Sequence, residues 1–514
     1  MMVPGLTAGF FKTDMGKLAF GRVGGNDSGR HNPRLQRVYT LSRMEFNCFF
    51  EPDPRRLYLP RNSCNDGFMR NLSAVLLILL MITACSVAPP VKKAQTPDTL
   101  RADIDRFLST DDPAEETEIL KRIKESGVPH EAIKPLLRES AVGRGGPPGL
   151  FRGVPVKHMG KELTYSLYVP ASAQTGKSLP MIVVLHGMGG RGDLTLQRWQ
   201  KRLNDEYIIL CPTYPIGAWW TLSAEELVLQ LIRETRARYP VDPNRIFLAG
   251  LSNGALGTYL IGMFYPDYFA GLIPIAGAVS EPHYLHFLVN LTNTPVYSIQ
   301  GTHDPIFPIQ FSRRIYQIMT DMQYPLTYRE HSERGMAHGG HFLPESEVPA
   351  LVEWLKEQRR ELYSTVVRMV RETNHLDRIQ WARVTRGLQM AALQIPGPLP
   401  ESMNIQDGKA ATLIAVHKEK NLFEIMGKNL LEMELYLSTD QVDFDQPVMV
   451  TFQEMKDLKG KFVTGQKWVK FNGTVKRDTA LLLRDFKLRR DPEQMFDAKL
   501  TVVLEESPQF ALKP

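Results

Sequence analysis

The run Gly250-Leu251-Ser252-Asn253-Gly254 has the residue types and spacing that turn a serine hydroxyl into a nucleophile. The serine must stand on a sharp strand-to-helix turn, and the flanking glycines leave room where strand and helix converge. The apolar segment Arg245-Ile246-Phe247-Leu248-Ala249 precedes it and the small-residue segment Ala255-Leu256-Gly257 follows it, so both flanks are present. A helix start behind the serine adds positive potential where an oxyanion would form. A second glycine-rich turn, Leu185-His186-Gly187-Met188-Gly189-Gly190, follows another apolar run. Its glycines let the backbone approach a substrate, so the N–H groups of Met188 and Asn253 are the expected oxyanion donors. Each such donor is worth ~3 kcal/mol of transition-state stabilisation.

A serine nucleophile needs a base and an acid that orients it. Asp304, in Thr302-His303-Asp304, follows the strand-like Val296–Gly301 and is the expected acid. Its competing role is a turn aspartate before Pro305. Asp242 and Asp267 lie beside prolines and are read as turn residues. Two histidines share one later loop, Gly335-Met336-Ala337-His338-Gly339-Gly340-His341, and both satisfy the chain order Ser, Asp, His. His341 is the preferred base because it leads into the final helix at a short distance, and His338 is the alternative. His186 precedes the serine and is expected to hold its loop by hydrogen bonds. Neither metal nor cofactor is expected, and the last 140 residues hold no metal-spaced cluster.

From about residue 150 the chain alternates strand and helix. Pro180-Met181-Ile182-Val183-Val184-Leu185 and Tyr207–Cys211 are apolar at nearly every position, as strands buried on both faces are. Leu163–Val169, Leu272–Gly277 and Leu326–Glu330 continue the series, and a last helix is expected from about Val348 to Arg371. This pattern predicts an α/β fold, a mostly parallel sheet with helices on both faces, over residues 150–371. Beyond it, short alternating segments punctuated by turn residues predict a separate all-β, sandwich-like domain over 376–514. Its expected strands include Ala411–Val416, Leu431–Leu437, Val448–Phe452 and Leu481–Leu483. Residues 99–142 read as a small helical region, with Leu100, Ile104 and Leu108 on one face, packed as a structural cap.

The formal charge of +6 suggests a nucleic-acid partner only until it is located. Residues 1–68 hold ten Lys/Arg against six Asp/Glu, and the rest is nearly balanced without a basic stripe, so no nucleic-acid partner is expected. Those 68 residues lack periodicity and read as a disordered upstream extension. Met69-Arg70-Asn71 then opens a short apolar run ending Ile82-Thr83-Ala84-Cys85, the layout of a secretory signal. The final tetrad resembles the bacterial lipobox, which implies lipidation of Cys85 and a membrane-anchored, extracytoplasmic protein tethered through residues 86–98. With Cys48 and Cys64 in the extension, Cys211 is left as a lone thiol and no disulfide framework is expected.

Residues 150–360 resemble the α/β-hydrolase superfamily, specifically the extracellular esterases of the polyhydroxybutyrate-depolymerase/feruloyl-esterase and phospholipase/carboxylesterase types. The resemblance rests on LHGMGG, AWWTLSAEE at 218–226, YPVDPNRIFLAGLSNGALGTYLIGMFYPDYFAG at 239–271, GTHDPIFP and GGHFLPES. It implies an α/β-hydrolase fold and metal-free hydrolysis of carboxylic esters through an acyl-enzyme, on a small-molecule ester or a carbohydrate- or polymer-derived one. The chain departs from the depolymerase pattern at Phe342-Leu343-Pro344, where a glycine- and tryptophan-rich stretch is common. A peptidase or thioesterase with the same triad, and a non-catalytic binding lipoprotein, are the alternatives.

Overall fold

Segments apolar at every position must be shielded on both faces, and here they form the centre of one sheet. The computed structural model describes residues 97–504 except 142, 144, 282–283, 337, 373–374, 376–377, 388–389, 391–409 and 459–460. The expectations for the upstream extension, the signal segment, the tether up to residue 96 and lipidation at Cys85 lie outside the described residues. Among the described residues, no helix is long and apolar enough to cross a membrane.

Three helices come first: α1 (Pro97–Ser109), α2 (Pro113–Glu125) and α3 (Ile133–Ala141). The hydrolase-like region then runs β1 (Gly149–His158), β2 (Lys161–Val169), β3 (Leu179–Leu185), α4 (Gly192–Leu203), β4 (Ile208–Thr213) and α5 (Leu222–Arg238). It continues with β5 (Val241–Leu251), α6 (Asn253–Phe264), β6 (Gly271–Ile275), β7 (Val296–Gly301), α7 (Ile309–Asp321), β8 (Leu326–His331) and α8 (Val348–Glu357). The strands make an eight-stranded sheet in the order β1-β2-β4-β3-β5-β6-β7-β8. Strands β1 and β2 are antiparallel to their neighbours, whereas β4, β3, β5, β6, β7 and β8 run parallel. One face of β3 (Met181, Val183, Leu185) packs against α5 and α6, and the other (Ile182, Val184) against α4 and α8. This is the α/β-hydrolase arrangement, and it puts the loops after β3, β5, β7 and β8 along one edge.

The last part of the chain contains β9 (Val366–Arg371), β10 (Arg378–Ile379), β11 (Ala382–Arg386), β12 (Ala411–Glu419), β13 (Leu422–Lys428) and β14 (Glu432–Leu437). After these come β15 (Val448–Leu458), β16 (Lys461–Gly473), α9 (Thr479–Arg489) and β17 (Ala498–Val503). They form two sheets, β10-β11-β14-β17 and β16-β15-β13-β12-β9, around a common apolar core. Two expectations are corrected. The last helix of the hydrolase region stops at Glu357, where Gln358 turns extended, and Val366–Arg371 is a strand paired with β12. Its β-branched alternation buries Val367 and Met369 in the β-domain core, while Val370 packs into the core of the hydrolase region. Leu481–Leu483 is helical, not a strand. Asp478 caps α9 by accepting from the Ala480 and Leu481 N–H groups, and Leu482, Leu483 and Phe486 pack together against α1, α2 and α3.

The first helices therefore cap the β domain. Lys134 and His130 both reach the buried Asp497 carboxylate, at 2.6 and 2.8 Å. The β domain is joined to the hydrolase region by a buried ionic knot. Arg360 grips Asp491 with two nitrogens at 2.5 and 3.1 Å and donates to the Asp267 carbonyl, while Arg236 donates to the Arg490 carbonyl. Burial alone would raise the Asp491 carboxyl, but Arg360, Arg236 and Arg489 hold it well below the carboxylate range. Breaking one partner of such a knot leaves an uncompensated buried charge, which costs roughly 3–5 kcal/mol.

Candidate active site

At the end of β5 the chain must reverse into α6 within one residue. Ser252 makes that reversal at φ 60° and ψ −120°, a conformation that serine adopts only when its surroundings enforce it. The enforcement comes from both sides. The Ser252 N–H donates to the Ile275 carbonyl at 3.0 Å, and the Ser252 carbonyl accepts from Ala255 at 2.8 Å. The two glycines are required by close approach. A Cβ on Gly250 would lie 2.1 Å from the Gly254 carbonyl oxygen, and one on Gly254 would lie 2.3 Å from that of Leu185. No side chain larger than hydrogen fits at either position.

The turn after β3 lies against this serine. A Cβ on Gly187 would sit 3.2 Å from the Ser252 Cβ and 3.8 Å from its Oγ. Met188, the next residue, holds its side chain in solvent, so what it offers the site is main chain. Asn253 is the first residue of α6, where first-turn N–H groups have no intrahelical partner. Its side chain donates to the Ile216 carbonyl at 3.3 Å. His186 holds the loop, as its place in the sequence suggests. Its Nδ1–H donates to the Gly187 carbonyl at 2.8 Å, and its Nε2 accepts from the Tyr214 N–H at 3.1 Å. Burial pushes this imidazole down in pKa, which keeps it neutral and able to serve as both donor and acceptor. The indole of Trp219 is fully buried and donates to the His186 carbonyl at 2.8 Å, so it braces the loop from within.

The loops that carry Asp304 and His341 meet at the same sheet edge. His341 Nδ1 and Asp304 Oδ2 are 2.9 Å apart, with both side chains largely buried. The other carboxylate oxygen accepts from the N–H groups of Ile306 at 2.8 Å and Phe307 at 2.9 Å. Burial alone would raise Asp304. The hydrogen bonds from His341, Phe307 and Ile306 outweigh it and hold the carboxyl below its ordinary range. His341 also stacks on Phe307, with centroids 6.0 Å apart and planes 7° from parallel. His338 is exposed, and its carbonyl accepts from the His341 N–H at 3.0 Å. His303 is also exposed and meets Arg334 at 3.1 Å. Of the two loop histidines, His341 is the one paired with Asp304.

Two contributors carried no sequence signal. Gln300, at the end of β7, donates to Asp304 Oδ2 at 3.0 Å and to the Phe307 carbonyl at 3.0 Å, fixing the carboxylate from behind. A single polar residue at a strand end announces nothing by periodicity. Ile216, after β4, sits at φ 50° with its side chain in solvent, a rare conformation for a β-branched residue.

Residues 221–357, from the cap of α5 to the end of α8, match the phospholipase/carboxylesterase family. Over this segment the chain is similar to that family, and the segment lies within the mostly parallel sheet described above. The poly(3-hydroxybutyrate) depolymerase of Ralstonia pickettii is 32% identical over 141 residues, which are 22% of this chain and 28% of that protein. The putative esterase NocK of Nocardia uniformis subsp. tsuyamanensis is 26% identical over 167 residues, 29% of this chain and 47% of its own. The chain thus spans less than half the length of either curated relative. Among solved structures, a thermostable esterase has 25% sequence identity, covers 41% of this chain and 63% of its own, and gives a TM-score of 0.35.

Proposed function

We propose that this hydrolase cleaves carboxylic esters through an acyl-enzyme, with Ser252 as nucleophile, His341 as general base and Asp304 as the acid that orients it. The observation that carries the reading is the positive-φ turn at Ser252, on the same sheet edge as a buried, hydrogen-bonded Asp304–His341 pair. With Nδ1–H donated to Asp304, His341 is left with a basic Nε2. That nitrogen takes the Ser252 proton as Oγ attacks the ester carbonyl. The imidazolium then protonates the departing alcohol. A water, deprotonated by the same nitrogen, releases the acid and restores the serine. The low pKa of Asp304 keeps it ionised throughout, so it stabilises the imidazolium without taking its proton. The N–H groups of Met188 and Asn253 are assigned to the oxyanion, in keeping with the approach of Gly187 to the Ser252 hydroxyl.

The test is steady-state hydrolysis of p-nitrophenyl butyrate beside the matching p-nitroanilide. The ester is cleaved and the anilide is not, and Ser252→Ala removes about 10⁶-fold of kcat. Cleavage of the anilide at comparable kcat/KM would move the reading to a peptidase. We further propose that the chain acts outside the cytoplasm, tethered by lipid at Cys85; the support is the segment 69–85 alone. Labelled palmitate should enter the wild-type chain in a bacterial host and not Cys85→Ala.

A further inference from the structure

The joint between the β domain and the hydrolase region holds a second set of buried charged groups, different in kind from the Arg360–Asp491 knot. His375, in the connection from β9 to β10, lays its ring flat on Phe264 of α6, with centroids 4.1 Å apart and planes 15° from parallel. Its Nδ1 lies 2.6 Å from Glu372 Oε1, and its main-chain N–H donates to the same oxygen at 2.5 Å. Its Nε2 faces Oε2 of Glu225, in the first turn of α5, at 3.6 Å. One imidazole thus stands between two carboxyl groups, one from each region. All three side chains are more than nine-tenths buried.

The Glu225 side of this triplet is incomplete. A separation of 3.6 Å is an ionic contact and not a hydrogen bond, and Glu225 Oε2 has no hydrogen-bond partner among the described residues. Burial raises the Glu225 carboxyl. His375 and a Tyr265 hydrogen bond lower it, Glu226 and Glu372 raise it further, and it settles at about 7. Tyr284, between β6 and β7, faces Glu225 and Glu372 together with Glu281. A single imidazolium compensates one buried carboxylate and not two, so the triplet balances only while Glu225 is neutral. The Asp491 knot behaves oppositely: three arginines hold that carboxyl so low that it keeps its charge throughout the neutral range.

We propose that Glu225, His375 and Glu372 form a proton-dependent latch, which fastens the β9–β10 connection to the hydrolase region while Glu225 carries its proton and loosens when that proton is lost. The direction follows from linkage. The folded value lies above the ordinary 4.5, so neutral Glu225 supports the joint fully below about pH 4.5, and that support is gone once pH has risen through about 7. The Arg360–Asp491 knot keeps the two regions together meanwhile, so the loosening is local to residues 366–386.

The experiment is hydrogen–deuterium exchange on the full chain at pH 5.5 and 8.5, corrected for intrinsic exchange, for the wild type and Glu225→Gln. Protection of peptides covering 366–386 should fall about tenfold or more in the wild type between the two pH values, and within about twofold in the variant, which has no proton to lose there. Peptides from β3 and β5 should hold their protection in both. A parallel loss in wild type and variant, no loss in either, or a wild-type loss spread equally over β3 and β5, overturns the latch. If Glu225→Gln does not fold, Glu372→Gln leaves one imidazole for one carboxylate and should blunt the alkaline loss in the same way, read by the same criteria.

Discussion

The two halves of the site are held by different means. Ser252 is placed by main chain: a buried strand, a helix, and glycines whose replacement would drive a Cβ into a carbonyl oxygen 2.1 or 2.3 Å away. Asp304 and His341 lie on loops and are placed by side-chain and loop hydrogen bonds, all accepted by the carboxylate: from Gln300, Ile306 and Phe307, and from the His341 ring. Main-chain placement leaves a mark in contiguous sequence, because each element must follow the last. Hydrogen-bond placement joins residues 37 apart and leaves no local mark.

That contrast can be broken most sharply at the two histidines. His341→Ala should lower kcat on a chromogenic ester about 10⁴-fold or more, whereas His338→Ala should stay within about threefold of wild type. Equal losses would mean that the loop hydrogen bonds do not select one base. Asp304→Asn should cost about 10⁴-fold through the wrong tautomer, with KM little changed. On the main-chain half, Gly254→Ala should act on folding first. A loss of about 3 kcal/mol or more of unfolding free energy, read as a lowered denaturant midpoint, is expected, because the clash is with backbone that cannot swing aside. Gln300→Leu should be milder, about a tenfold loss of kcat/KM, since two N–H groups still hold the acid.

The smallest effect is on stability against pH. The folded pKa of Asp304 lies below its ordinary value of 3.8, so its ionised form favours the folded state above about pH 4. That contribution is lost as pH falls through the lower folded value. The stability gap between wild type and Asp304→Asn should therefore narrow in urea titrations below pH 4. A gap that stays constant would mean that the carboxylate bonds add nothing to the fold.

The same contrast explains what could be read from the chain itself. The apolar run Pro180–Leu185 and the motif Gly250–Gly254 announce a buried strand and a strained turn because periodicity and glycine spacing are local. Asp304 could be picked by chain order alone. The choice between His338 and His341 could not be made by periodicity, since it depends on a tight turn in which the His338 carbonyl accepts from the His341 N–H. Val366–Arg371 reads in sequence as the end of the last helix. Pairing with β12, some 40 positions on, decides otherwise. Leu481–Leu483 gave the opposite error: three leucines suit a strand until the Asp478 cap is placed. Gln300 and Ile216 had no pattern to betray them; one acts through a side-chain hydrogen bond and the other through a backbone angle.

The central claim is that Ser252 is an activated nucleophile, and its most direct test is peptide mapping by mass spectrometry after exposure to a fluorophosphonate. A single adduct on Ser252, retained in His338→Ala and slowed by orders of magnitude in His341→Ala, is the predicted result. An adduct on another residue, or none on the folded wild-type chain, would contradict the account.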